Sequence, residues 1–145
     1  MGFEHLGHTA DILIKAWGRG LEELFEYAAK GMFEVITDTA KVEPRVSISI
    51  RICGFDLENA LYKWLEELLY YHDSRNLVFS RFEVSRIYEL IAEGEKQICV
   101  EGIAKGEEFQ RGKHEPRTVV KAITYHEMRI WSEGEKLYAT FVVDI

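Results

Sequence analysis

Val46, Ile48, Ile50 and Ile52 alternate with Ser47, Ser49 and Arg51, and a few residues later the apolar spacing changes period. Leu57, Ala60, Leu61, Trp64, Leu65, Leu68 and Leu69 recur at steps of three and four. The first pattern is a strand with one face buried, and the second is a helix with one apolar stripe. Neither element can bury its own apolar surface, so each needs the other kind packed against it. Asp56, just ahead of the second pattern, is placed to cap the helix by accepting its orphan amides. The same switch occurs earlier. Ile12, Ile14 and Ala16 alternate with Leu13, Lys15 and Trp17, Gly18 and Gly20 end the run, and Leu21, Leu24, Phe25, Ala28, Met32 and Val35 follow at helical spacing.

The second half is richer in strands. Residues 82–92 and 97–104 flank Glu93-Gly94-Glu95-Lys96, which predicts a hairpin, and residues 122–131 and 137–145 flank a polar turn containing Gly134. The order strand, helix, strand, helix, then antiparallel strands predicts an α+β fold. The expected architecture is a single two-layer domain over residues 1–145, with two helices packed on one face of a mostly antiparallel sheet.

With 145 residues and 47% hydrophobic content, the chain can build one core, and disorder is excluded. Its formal charge of −7 repels phosphate backbones on average, so strong direct binding of nucleic acid is not expected; cations or a basic protein partner suit it better. Cys53 and Cys99 are the only cysteines and have no metal-ligand spacing, which excludes a thiolate zinc site. They read as reduced core thiols. No apolar run approaches a membrane span and no signal-peptide core opens the chain, so a cytoplasmic protein is expected.

Two aspartates occupy unusual places. Asp11 sits at the mouth of the first strand and Asp144 at the end of the last, although aspartate is depleted from strands. If the terminal strands are neighbours, both carboxylates meet beside the terminal carboxylate of Ile145, and such a cluster calls for a hard cation. Solvated strand-end aspartates are the alternative, and spacing alone leaves both open. Asp38 follows the first helix, either as another oxygen donor or as a polar turn residue. His8 stands close enough in sequence to orient Asp11. No EF-hand loop, HExxH, P-loop, GxSxG or dinucleotide fingerprint is present, and no nucleophile is paired with an oriented base. The Lys113-to-Pro116 and Lys121-to-Met128 stretches gather polar groups without forming a catalytic triad.

His8-Thr9-Ala10-Asp11-Ile12, Met32-Phe33 through Thr37-Asp38, Lys121-Ala122-Ile123-Thr124-Tyr125 and the final Asp144-Ile145 resemble, in order and spacing along the whole length, the archease family. The resemblance implies a compact domain that binds a divalent ion, calcium in the family. Asp11, Asp144 and Ile145 would be the ligands, with Asp38 as an addition and Ile145 acting through main-chain or terminal carboxylate oxygens. It further implies a non-catalytic role: activating the tRNA-splicing RNA ligase of the 3′-phosphate/5′-hydroxyl type by promoting its guanylylation and turnover. A chaperone-like modulator of a tRNA methyltransferase or another RNA-modifying enzyme is the alternative that the same resemblance allows.

Overall fold

The computed structural model describes residues 1–7 and 11–145. Among these residues seven strands and two helices follow in the order β1 (Gly2–Gly7), β2 (Asp11–Gly18), α1 (Leu21–Ile36), β3 (Val46–Gly54), α2 (Leu57–Arg75), β4 (Leu77–Ala92), β5 (Glu95–Glu108), β6 (Ala122–Glu133) and β7 (Lys136–Asp144), with a short 3₁₀ turn at Thr39–Lys41. Every strand pairing is antiparallel. The strands divide between a four-stranded sheet ordered β1-β2-β7-β6 and a three-stranded sheet ordered β3-β5-β4. The α+β class expected from the periodicity therefore holds, with two sheets in place of one. β1 was not legible, because its six residues carry no clean alternation.

Both helices form where the periodicity places them. In α1 the expected stripe is buried from Leu24 to Val35, and Ala29, Phe33 and Ile36 widen it. In α2 the Asp56 carboxylate accepts from Asn59 N–H at 2.8 Å, completing the expected cap. Asn76, with φ of 55°, ends α2 in the left-handed conformation that asparagine tolerates better than most residues. Each helix touches both sheets: α1 packs on β4 and β2, and α2 packs on β3 and β6. One core results, and it joins the sheets through the helices. Trp64, fully buried at its centre, donates its indole N–H to the Phe25 carbonyl at 3.1 Å, so its one polar atom is satisfied.

β4 is long and bent. Its register with β5 shifts between Phe79 and Arg81 and again between Val84 and Arg86, leaving Ser80 and Ser85 as bulge residues. Each shift lies beside a glycine, since Phe79 pairs with Gly106 and Val84 with Gly102. A Cβ at Gly106 would stand 1.8 Å from the Val78 carbonyl oxygen, so only glycine admits the bent strand there. The hairpin expected between β4 and β5 is present. Glu93 and Gly94 fill its two-residue turn with φ of 53° and 79°, the signature of a type I′ turn.

One expectation is corrected. Cys53 and Cys99 form a disulfide, with Cα atoms 4.0 Å apart. The reason is register: the two residues are direct partners across β3 and β5, which spacing in sequence could not reveal. Closing a loop across 46 residues restricts the unfolded chain. Cys53→Ser, or reduction of the wild type, is therefore expected to lower stability by about 2–4 kcal/mol. Urea unfolding with and without a strong reductant checks this. The reductant should shift the wild-type midpoint and leave the serine variant unmoved.

Candidate functional site

The strand that carries Asp11 is the second of the chain, after β1, and it neighbours the last. β2 lies beside β7, and their register makes Asp11 the direct partner of Asp144. Ile14 and Ala16 of β2, with Ala139, Phe141 and Val143 of β7, are buried against the core. Period-two alternation then sends Asp11 and Asp144 to the opposite, outward face. Asp11 is half-buried and Asp144 exposed. Directly opposed residues on adjacent strands have Cβ atoms about 4.5–5.5 Å apart, and like charges so placed destabilise the sheet. Among the described residues neither carboxylate has an ion-pair partner. Two carboxylates on directly opposed residues at a strand end would suit a hard cation. Calcium takes about six to eight oxygens, so two side chains and nearby main-chain oxygens would form only part of a shell.

The other expected ligands are placed less closely. Ile145 packs its side chain against the core edge and, having no side-chain oxygen, has only main-chain or terminal carboxylate oxygen to offer. Asp38 caps the 3₁₀ turn, accepting from Ala40 N–H at 3.1 Å, and no described hydrogen bond joins it to the aspartate pair. His8 lies outside the described residues. Among the described residues no group of three or more His, Cys, Asp or Glu side chains converges on one point.

The segment between β5 and β6 delivers the second half of the site. Lys121 N–H donates to the Asp144 carbonyl at 2.8 Å, and Ala122 pairs with Asp144 from the other side. β6 then leaves the ladder after Thr124 and rejoins at Arg129, so Tyr125 to Met128 bulge out opposite Phe141. Tyr125, half exposed, stacks on Tyr62 of α2 with ring centroids 4.3 Å apart. Its hydroxyl accepts from the buried Asn59 amide. The Lys121-to-Tyr125 block is thus held between the last strand and the second helix.

Two polar anchors missed in the sequence reading hold this segment. At its start, Glu107 is 3% exposed and His114 is 2% exposed. Glu107 accepts from Glu43 N–H at 2.7 Å, from Lys113 at 2.9 Å and from His114 Nε2 at 3.0 Å. Gln110 N–H donates to His114 Nδ1, which leaves Nε2 to carry the proton given to Glu107. Burial alone would raise the Glu107 carboxyl, but these donors together outweigh it and bring its pKa down to about 2. Further along, Arg117 N–H and Thr118 N–H donate to the Ile36 and Val35 carbonyls at the end of α1. The sequence signal for both anchors was a charged residue with no visible partner, and the partners lie far away in the chain.

The archease family model, described as "Archease protein family (MTH1598/TM1083)", matches residues 3–145. The chain belongs to the archease family. The archease of Sulfurisphaera tokodaii is 53% identical over 143 residues, covering 99% of this chain and 98% of that one. The solution structure of Methanobacterium thermoautotrophicum protein 1598 superposes with a TM-score of 0.80 at 38% identity, covering 99% of both chains. The crystal structure of a Thermotoga maritima archease, described as a possible chaperone, shares the fold with a TM-score of 0.60 at 23% identity over 97% of this chain and 94% of that one. Among the described residues no helix is long and apolar enough to cross a membrane.

Proposed function

We propose that this chain is a non-catalytic activator of a tRNA-splicing RNA ligase of the 3′-phosphate/5′-hydroxyl type, acting in the cytoplasm through a divalent cation, calcium by preference. Asp11 and Asp144 would hold the ion with main-chain oxygen of Ile145; Asp38 would join through water or a shifted turn. The observation that carries the reading is the direct pairing of Asp11 with Asp144 across β2 and β7, on the outward face and without a described counter-charge. When bound, the ion would supply a positive centre whose remaining coordination positions face outward. The chain's own part is to keep two carboxylates opposed on a rigid sheet edge and to present the Tyr125 bulge beside them.

Membership of the archease family supports a helper role over an enzymatic one, as does the possible-chaperone description of the Thermotoga maritima relative. The test is a ligase assay with labelled GTP. Label is expected on the ligase, more of it when this chain is present with Ca²⁺, and never on this chain. Multiple-turnover ligation should rise in parallel. Stable label on this protein would make it an enzyme. An unchanged labelled fraction and turnover would remove the ligase reading in favour of another RNA-modifying client.

A further inference from the structure

Helices end with four carbonyls that lack intrahelical donors, and at the end of α1 all four have found partners. Thr37 N–H takes the Phe33 carbonyl at 2.9 Å, Thr118 N–H the Val35 carbonyl at 3.0 Å, and Arg117 N–H the Ile36 carbonyl at 3.1 Å. The fourth, Glu34, receives the Arg117 guanidinium at 2.8 Å. The same Arg117 nitrogen reaches the Glu34 carboxylate at 2.9 Å, and Arg117 Nε reaches Glu115 at 2.9 Å. The other Glu34 oxygen accepts from Thr39 N–H at 3.0 Å and from the Thr39 hydroxyl. Thr37 donates its hydroxyl to the Glu115 carbonyl at 2.8 Å.

One carboxylate therefore holds two segments that are remote in sequence. On one side is the turn that Asp38 caps. On the other is the stretch 115–118, which leads within three residues to the Lys121 N–H bond with Asp144. Arg117 is the link, because one terminal nitrogen of its guanidinium meets both the main-chain carbonyl and the carboxylate of Glu34 while Nε meets Glu115.

We propose that Arg117, acting through Glu34, is a positioning residue for the ion site. It clamps the Asp38 turn and the Lys121–Asp144 junction to the same helix end. Both are thereby held in place before any cation arrives. The role in ion binding rests on the proposed function; the clamp itself does not. Removing the guanidinium leaves the Glu34 carbonyl and carboxylate without that donor and frees the 115–121 stretch to fluctuate, while the core and both sheets keep their packing.

The experiment pairs two readouts on wild type and Arg117→Ala at a temperature where both are folded by circular dichroism. Amide hydrogen exchange should quicken about tenfold or more at Thr39, Thr118 and Lys121, with β3 and β5 unchanged. Titration with CaCl₂ should show affinity about tenfold weaker, and Arg117→Lys should restore only part of it, since an ammonium cannot reproduce the fork. If Arg117→Ala does not fold, Glu34→Gln takes its place, since it keeps an acceptor for Thr39 and removes the charge facing Arg117. Unchanged exchange at Lys121 overturns the clamp. Quickened exchange with unchanged Ca²⁺ affinity overturns the positioning role. A wild type that binds no Ca²⁺ removes the ion reading, and the exchange data then decide the clamp by themselves.

Discussion

Asp144→Asn is expected to lose divalent-ion binding while gaining slightly in stability without the ion. The substitution keeps an oxygen in place and removes one negative charge from a directly opposed carboxylate pair. A hard cation depends on charged oxygen ligands, and the donor set offered by this chain is small. Affinity for Ca²⁺ should therefore fall by about a hundredfold, roughly 2.7 kcal/mol. In EDTA the sign reverses. Opposed like charges on adjacent strands are unfavourable by a few tenths to about 1 kcal/mol, and the variant is relieved of them. Since a ligand that binds only the folded state raises stability with its concentration, Ca²⁺ should raise the wild-type midpoint and leave Asp144→Asn nearly unmoved. Asp11→Asn should behave alike, because the two residues are partners in one pair. Thermal unfolding of the wild type and both variants in EDTA and in millimolar CaCl₂ gives all six values. Equal Ca²⁺ responses in wild type and both variants would dissolve the metal assignment.

Glu107→Gln should give the largest loss of stability among single polar substitutions, about 3 kcal/mol. The carboxylate is buried and accepts three hydrogen bonds, two of them from Lys113 and His114. An amide keeps the size but sets N–H groups against those donors and leaves buried polar groups unmatched. The pH dependence carries the signature. Its pKa is lowered from 4.5 to about 2 by these donors against the opposing effect of burial. A depressed carboxyl contributes stability that is fully present above its unfolded pKa and lost as pH falls through the folded one. The contribution should hold at neutral pH, decline from about pH 4.5 and be gone near pH 2. The wild type should thus show a steeper loss of stability over that window than the glutamine variant, measured by urea unfolding at each pH. Parallel curves would mean that Glu107 is not the group holding the β5–β6 segment.

The anchors show where reading along the chain stops being informative. His114 stood in the sequence as a polar residue beside a lysine and a glutamate, with nothing to mark it as buried. Its partner Glu107 lies seven residues back, on a strand end whose direction depends on the β4 bulges. Arg117 and Glu34 are 83 residues apart, and no local pattern predicts that a loop will supply the missing donors of a helix end. Asp11 and Asp144 were singled out because aspartate is out of place in strands, but their meeting was conditional on the terminal strands being neighbours. The strand that carries Asp11 proves to be the second, and its register with β7 is what brings the pair together.

The elements of this protein are written in its sequence because each has a period of its own. The stripe of α2, the alternation of β3, the Asp56 cap and the β4–β5 hairpin all arise from interactions within a few residues; the first three are found where the residues predict them, and the hairpin turn is tighter than expected, at Glu93-Gly94 with Glu95 and Lys96 already in β5. Family membership was legible for a related reason, since ordered blocks survive as strings. What only the tertiary structure decided is which faces and ends meet. Periodicity fixes the buried side of a strand but not its partner, so the division into two sheets, the facing of Cys53 and Cys99, the Asp11–Asp144 pair and the Arg117–Glu34 clamp had to await the packing. Each depends on contacts between residues distant in the chain, and those are settled only when helices and sheets bury their apolar faces together.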